Sequence, residues 1–452
     1  EPLPLPVRGP GTSSFSFDKL RESGSSTTIS NYRLTLEFTS NPAWYAVQAL
    51  PYLAESRHDC SEKIFSRLYA NSLASHIANA NPKIRRVYES WKATSPEALL
   101  SNLEKNQELK SALLEETPWV MQARNETERK QRIALLFDMN KMSNDAGKAF
   151  RKLKEMQLPN GAWPWFKGMR ESRYITQLIV TGLGKLHKLG VVDLERKAQM
   201  RNMIAMALRY LDEQINADYE RIIERGDDPT TDHLGHTQVQ YLYARSFFAA
   251  KNTPGNQAAR AFDYFKGQAE EYWTGQNKYM QGMIAIALKR FGEVDTPAEI
   301  IRSLNEHALH SDEMGMYWRS EDGYHWYRAP VERQALLIEA YEEVAGNPDA
   351  VEEMKTWLLK QKQTQDWKTS RATADAVYAL LIRGTDLLAS DEPVEVSLGY
   401  EKIDPLNLDG TAMQAGTGYF QTSWSGGDIS PEMGEVEVTK NDEGIAWGAV
   451  YW

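Results

Sequence analysis

The composition of the 452-residue chain changes twice along its length, and this constrains the fold more than any single residue does. Residues 1–42 are rich in Ser, Thr and Pro and include YRLTLEF, whose alternating apolar and polar residues predict a β-strand. From about residue 43 to residue 384 the spacing of apolar residues is helical. Strand-like segments such as VEVSLGY, GYFQTSW and GEVEVTK then return. The sequence therefore predicts a β–α–β order.

Neither β end is long enough to bury a core of its own, which favours one sandwich built from both ends of the chain. We predict a β segment over residues 1–42, a helical domain over 43–390 and a second β segment over 391–452. The expected fold class is mainly α: an α/α toroid of helical hairpins inserted into a small β-sandwich formed by the two chain ends.

The helical region repeats loosely, as helices of roughly 12–20 residues joined by loops that contain Gly, Pro or Asn. An open solenoid would explain this repeat. Two segments, 157–168 and 361–381, instead share the same order of features: Gln, a polar turn, Trp and a helix start rich in small residues. This shared order favours closure of the helices into a toroid. Residues 309–329 form a longer aromatic loop of the same type. We expect the loop tryptophans to pack structurally at the hairpin tips, and these are Trp163, Trp165, Trp318, Trp326 and Trp367.

Composition excludes several function classes. Apolar residues make up 42% of the chain, so a large core is available, and a net charge of −10 without a Lys/Arg stripe argues against nucleic acid or an anionic membrane surface as a partner. A run of apolar residues long enough to span a bilayer is absent from the sequence. The first residues include neither Met nor a signal-peptide core, and we expect a piece of a longer polypeptide with any targeting signal elsewhere.

The single cysteine lies in Cys60-Ser61-Glu62-Lys63, at the start of the helical run SEKIFSRLYANSLASHIANA. One cysteine excludes an intrachain disulfide. The cysteine segment, PYLAESRHDCSEKIFSRLYANSLA, resembles the thioester region of bacterial alpha-2-macroglobulins. PNGAWPWFKGMRESRYITQLIVTGLGKL, GYHWYRAPVERQALLIEAY and DWKTSRATADAVYALL are similar to later hairpins of that family, so the resemblance covers roughly residues 40–390.

The resemblance implies a thioester-type α/α toroid inserted into a CUB-like β domain. The family's proteins are large envelope or secreted endopeptidase inhibitors: a protease cuts a bait region, and an exposed thioester then acylates a lysine of the trapped protease. The resemblance therefore implies proteases and the other domains of the same polypeptide as partners. It also implies a bacterial periplasmic or cell-envelope location, and it implies no cofactor.

The family's motif is Cys-x-Glu-Gln, in which the glutamine supplies the acyl group of the thioester. Cys60 matches the thioester cysteine, Glu62 matches the glutamate, Ser61 occupies the variable position and Lys63 replaces the glutamine. Because an ammonium group has no carbonyl, we expect a degenerate motif and a trap without a covalent thioester, and no enzyme activity. Cys60 would then be a structural residue, or a thiol activated by the nearby cation. A purely architectural module that has lost trapping is a further possibility.

An α/α toroid carbohydrate-active enzyme, either a polysaccharide lyase or a glycosidase, is the alternative from another class. The loop aromatics could stack on sugars, and Asp312/Glu313 and Glu321/Asp322 could act as acid and base. Other polar groups carry weaker signals. The pairs His233/His236 and His307/His310 have the spacing of metal ligands on a helix but lack further ligands nearby, so we expect no metal. Residues 227–232, DDPTTD, are expected to form a solvated turn that caps the next helix.

Overall fold

The computed structural model describes residues 2–26, 28–54, 59–93, 139–249, 254–311, 314–319, 329–364, 367, 369–384, 388, 392–405, 413 and 415–452. The helices in these ranges, beyond short 3₁₀ and π turns, are α1 (Asp18–Arg21), α2 (Trp44–Ala54), α3 (Ser61–Ala80), α4 (Pro82–Ala93), α5 (Met139–Met156), α6 (Arg173–Lys188), α7 (Ala198–Arg225), α8 (His236–Ser246), α9 (Asn256–Tyr272), α10 (Lys278–Arg290), α11 (Asp295–Glu306), α12 (Pro330–Ala340), α13 (Pro348–Thr364) and α14 (Ser370–Leu381). The strands are β1 (Pro2–Arg8), β2 (Gly11–Ser16), β3 (Arg33–Thr39), β4 (Trp163–Pro164), β5 (Glu171–Ser172), β6 (Leu309–Ser311), β7 (Gly315–Tyr317), β8 (Glu395–Leu398), β9 (Glu401–Ile403), β10 (Tyr419–Ser425), β11 (Glu435–Lys440) and β12 (Ile445–Tyr451).

The two chain ends form a sandwich of two four-stranded antiparallel sheets, with strand orders β1-β12-β3-β10 and β2-β11-β8-β9. Each sheet contains strands from both ends of the chain. Alternation along β3 directs Leu34, Leu36 and Phe38 into the sandwich core, where the Phe38 ring stacks on Phe420 at 6.2 Å. The predicted sandwich built from both ends is confirmed.

The opposite face of the first sheet packs against the helical region. Glu37 lies on this face, is buried, and accepts a hydrogen bond from the Tyr451 hydroxyl at 2.6 Å. Trp447 of β12 stacks on Tyr45 of α2 with ring centroids 6.1 Å apart, and the Lys360 ammonium lies 5.3 Å from the Trp447 ring. The sheet therefore contributes to the helical core as well as to its own.

Six helices form a closed inner ring, in the order α3, α6, α8, α10, α12 and α14, with α14 returning to contact α3. The helices α2, α5, α7, α9, α11 and α13 pack outside this ring. Their burial follows the sequence: α8 is buried continuously from Val239 to Ser246, whereas α11 buries one stripe that includes Ile300 and Leu304. The mainly α fold class is confirmed. In the described ranges, no helix has the length and apolar character needed to cross a bilayer.

Candidate functional site

Cys60 is the N-cap residue of α3, the first helix of the inner ring. Its carbonyl accepts the N–H of Ile64 at 2.9 Å, and the side chain, a free thiol, is buried and forms no cap hydrogen bond. The next backbone N–H, that of Ser61, donates to the carbonyl of Trp165 at 2.9 Å. The aromatic loop between α5 and α6 is thereby bound to the cysteine segment.

Lys63 joins α3 to the last inner helix. Its ammonium donates a hydrogen bond to the hydroxyl of Ser370, which is the first residue of α14, and lies 3.7 Å from a carboxylate oxygen of Glu62. The Ser370 hydroxyl in turn donates to the same Glu62 oxygen at 3.2 Å. Lys63 is therefore part of a polar cluster, Glu62–Lys63–Ser370, that spans the point where the ring closes.

Asp59 fixes the chain just before the cysteine. Its carboxylate accepts hydrogen bonds from Arg67 of α3 and from Lys152 of α5, the latter at 2.7 Å. These two hydrogen bonds lower the pKa of Asp59 to about 2, and the attraction of both cations adds to the effect. Asp59 is therefore ionised at neutral pH and connects the approach to α3 with the outer helix.

The chemistry open to this segment follows from its atoms. Among Cys60, Ser61, Glu62 and Lys63, only Glu62 has a side-chain carboxyl carbon, and a carboxylate is a poor acyl donor unless it is activated. One oxygen of that carboxylate already accepts the Ser370 hydroxyl. The geometry supports hydrogen bonding between α3 and α14, beside a charge pair of Lys63 with Glu62 within α3.

A cavity of about 80 Å³ lies at the centre of the ring and is lined by residues from all six inner helices. Glu62 of α3 and Ser370 of α14 are on its wall, so the polar cluster borders the cavity. The volume is well below the roughly 300–1,000 Å³ of sites that hold drug-sized ligands.

Deeper in the ring, a fully buried carboxylate organises a charged network. Glu339 of α12 accepts hydrogen bonds from Arg290 at 2.6 Å, from the Tyr378 hydroxyl at 2.9 Å and from the Tyr243 hydroxyl. Burial acts to raise the pKa of Glu339, but Arg290 and two nearby lysines outweigh it and lower the pKa below its usual value. Burial, followed by the charge of Glu339, raises the pKa of Tyr243 and Tyr378 well above the ordinary range.

The loop tryptophans occupy two kinds of position. The indole N–H of Trp163 donates to the Leu153 carbonyl at 2.8 Å, that of Trp318 to Leu304 at 2.9 Å and that of Trp367 to Leu358 at 3.3 Å. In each case the acceptor belongs to the preceding outer helix, and the ring is buried. Trp165 is instead 40% exposed and stacks on Tyr174 at 5.9 Å. Trp326 lies outside the described residues.

The alternative sites receive different support. The proposed acids Asp312/Glu313 and Glu321/Asp322 lie outside the described residues, and the three buried tryptophans are not available to stack on a sugar. His233 Nε2 pairs with the Asp228 carbonyl oxygen at 2.9 Å, and His310 Nδ1 with Glu353 at 3.1 Å. In the part of the chain that the structure describes, no group of three potential metal ligands is found.

The acidic segment before α8 is a turn, as its sequence indicates, but it does not cap that helix. Asp228 accepts the N–H of Thr230 at 2.9 Å, and Asp232 accepts the N–H of Leu234 at 2.9 Å. The N-cap residue of α8 is Gly235, without a side-chain cap. The predicted cap is therefore wrong: Asp232 is three residues too early and closes a local Asx turn instead.

Comparison with solved structures identifies a similar fold in alpha-2-macroglobulin from Escherichia coli. The form activated by porcine elastase aligns with 100% of this chain and 32% of its own, with a TM-score of 0.50 and 14% sequence identity. The native structure from domain MG7 to the C-terminus aligns with 99% of this chain and 56% of its own, with a TM-score of 0.48 and 12% identity. The fold is alpha-2-macroglobulin-like. This chain spans about a third of the elastase-activated protein's length, and no family model and no curated protein matches its sequence.

The sequence singles out Cys60, Glu62 and Lys63 but does not reveal Ser370, the partner of Glu62 and Lys63, which lies 307 residues from Lys63. The one available signal was the N-cap pattern at Thr369, whose hydroxyl accepts the N–H of Ala372 at 3.0 Å. That pattern marks the start of α14, but it does not indicate that α14 contacts α3.

We predict a measurable coupling between Lys63 and Ser370. In a double-mutant cycle of Lys63→Ala and Ser370→Ala, the coupling free energy should be about 0.5–1 kcal/mol, since the pair is only partly shielded from water. Urea unfolding of the four proteins measures it. The exposed pair Lys148–Asp145 on α5, 3.2 Å apart, is the control and should couple by less than about 0.5 kcal/mol. Equal coupling in the two cycles would contradict a specific role for the cluster.

We also predict alkaline destabilisation through the buried tyrosines. Because the folded-state pKa of Tyr378 lies well above 10, the unfolded chain loses this proton first as the pH rises. The contribution of the protonated tyrosine to the free energy of unfolding is complete below about pH 10. Above that pH, the free energy of unfolding declines by about 1.4 kcal/mol per pH unit for each such tyrosine. Urea unfolding between about pH 9.5 and 11.5 should show a shallower decline for Tyr378→Phe than for the wild type. Tyr400→Phe, at a residue 98% exposed, is the control for removal of a tyrosine hydroxyl. The same slope for Tyr378→Phe as for the wild type would disprove the assignment.

Proposed function

We propose that this chain is the thioester-type toroid and CUB-like β domain of an alpha-2-macroglobulin-like endopeptidase inhibitor that traps proteases without a covalent thioester. The observation that carries the proposal is a closed helical ring inserted into a sandwich made by both chain ends, with Cys60 at the start of the first inner helix. The fold similarity supports the class of protein. The sequence resemblance around Cys60 supports the identity of the domain.

The proposed domain boundaries follow the change from strands to helices. Residues 1–42 and 391–452 form the two parts of the CUB-like domain, and residues 43–390 form the toroid. This assignment agrees with β3 ending at Thr39, α2 starting at Trp44 and β8 starting at Glu395.

The absence of covalent chemistry is proposed from Lys63. A thioester needs an acyl carbon at the position three residues after the cysteine, and the Lys63 ammonium is bonded to Ser370 and close to Glu62 instead. In this proposal the protein acts by enclosure, the domain is not an enzyme, and Cys60 is a buried structural residue.

The proposed partners are proteases and the remaining domains of the same polypeptide, in a bacterial periplasm or cell envelope. Solved structures of Escherichia coli alpha-2-macroglobulin include forms activated by porcine elastase and by trypsin, so these two proteases are suitable probes. They differ in primary specificity, which helps to distinguish general trapping from inhibition of one enzyme.

The test uses the full-length protein incubated with elastase or trypsin. We expect cleavage of a large protein substrate to be blocked while a small chromogenic peptide is still cleaved, because an enclosed protease remains active towards molecules that can diffuse in. We also expect no protease adduct that survives boiling in detergent, and unchanged trapping by Cys60→Ala.

Lys63→Gln is the matched variant, since it restores the Cys-x-Glu-Gln sequence at the cost of the Ser370 bond. This variant shows how a motif that contains the glutamine carboxamide behaves in the same protease-trapping assay. A detergent-resistant adduct in the wild type, or loss of trapping in Cys60→Ala, would refute the non-covalent mechanism. Equal cleavage of large and small substrates in the presence of the protein would refute the trap itself.

A further inference from the structure

We infer that the tip of the β4–β5 hairpin, residues 165–170, is a contact site for an anionic phospholipid surface. The tip has the sequence WFKGMR and connects two short paired strands. In this contact its apolar side chains enter the outer part of the bilayer, and its two cations stay at the level of the lipid phosphates. The inference does not depend on the protease-trapping role.

The hairpin presents its tip to solvent from a buried support. Trp163 of β4 pairs with Ser172 of β5, and its buried indole N–H donates to the Leu153 carbonyl on α5 at 2.8 Å. After β4, every residue from 165 to 171 is exposed. The space around Gly168 is open, since a Cβ added there would meet no atom within 4 Å. A flat surface can therefore approach the tip without displacing the support.

Three large apolar side chains are exposed within five consecutive residues of the tip. Trp165 is 40% exposed, Phe166 48% and Met169 55%. A turn keeps the last two near each other, because the Met169 N–H donates to the Phe166 carbonyl at 3.1 Å. The Trp165 ring stacks on Tyr174, which holds the ring in place while part of it stays open to solvent. Single apolar residues on a surface are ordinary, whereas a group of neighbouring ones indicates an interaction surface.

The same tip carries positive charge that the protein does not neutralise. Lys167 and Arg170 are exposed, and neither forms an ion pair with a described residue. The tip itself contains no acidic residue. Although the whole chain has a net charge of −10, exposed charges act on an anionic surface only within about one Debye length, roughly 8–10 Å at physiological salt. The charge of the tip therefore decides the contact, and it is complementary to anionic lipid.

The size and composition of the tip favour a lipid surface over a protein partner. A stable protein interface takes about 20–30 residues from each side, and the tip has six. Aromatic rings beside lysine and arginine are typical of protein segments that lie in a bilayer interface. There the rings enter the headgroup region, and the long cationic side chains reach the phosphates.

The test measures sedimentation of the whole chain with lipid vesicles. The probe is phosphatidylcholine vesicles that contain about a quarter phosphatidylglycerol, compared with vesicles of phosphatidylcholine alone. We expect binding to the anionic vesicles and about 20-fold weaker binding to the neutral ones. Each cation near an anionic surface favours binding by about fivefold, and the tip has two.

Two double variants separate the charged and apolar contributions. Lys167→Gln/Arg170→Gln should bind the anionic vesicles about 20-fold more weakly than the wild type. Phe166→Ser/Met169→Ser should bind them at least about tenfold more weakly, because both side chains lose apolar contact with the bilayer. All four side chains are exposed, so the fold is retained in both variants.

Matched controls remove the same kinds of side chain from other surfaces. Arg196→Gln/Lys402→Gln changes the net charge equally, at residues whose side chains are 88% and 71% exposed. Tyr400→Ser removes an aromatic ring that is 98% exposed. Both controls should bind the anionic vesicles like the wild type.

Hydrogen exchange gives a second measurement that needs no variant, and anionic vesicles should slow exchange in residues 165–170. The inference is overturned if the chain does not bind the anionic vesicles, if it binds neutral vesicles equally well, or if either tip variant binds like the controls. Protection of a different segment would overturn it too. So would residues 165–170 protected in the lipid-free full-length protein that binds no vesicles, since another protein domain would then cover the tip.

Discussion

The contact between α3 and α14 is the constraint on which the rest of the architecture depends. These helices are the first and last of the inner ring, and their contact closes it. Closure brings the chain entering the ring near the chain leaving it, so that β3 can pair with both β10 and β12. The sandwich built from both chain ends and the central cavity between the inner helices both follow from this closure.

The strength of the closure comes mainly from apolar burial rather than from the polar cluster. Inner helices are buried on most of their surface, and each fully buried apolar side chain contributes roughly 1.5–3 kcal/mol. An ion pair that is about a third exposed, such as Lys63–Glu62, contributes about 1 kcal/mol or less. The cluster therefore specifies which residues face one another at the seam, while packing holds the helices together. Packing therefore determines the fold at this seam more than the identity of residue 63 does.

Much of the fold can be predicted from the sequence because its signals are local. The run 61–80 is a helix over its full predicted length, and the alternation in YRLTLEF marks β3 correctly. The pairing of Lys63 with Ser370 and the arrangement around the cavity could not be predicted, because they join residues that are far apart in the chain. The prediction that the acidic segment caps α8 failed for a local reason. The chain turns before the helix begins, so Asp232 accepts the N–H of Leu234 instead of an N–H in the first turn of α8. Local patterns identify elements, and long-range packing decides which side chains meet.

The account's central claim is that Cys60 forms no thioester. Intact mass spectrometry of the full-length protein before and after treatment with methylamine, together with titration of thiols in denaturant, tests this claim directly. We predict a mass that equals the sequence mass, no gain on treatment, and a number of titratable thiols that stays equal before and after treatment. A mass lower by one water or one ammonia, a gain of one methylamine and a thiol that appears only after treatment would contradict the account.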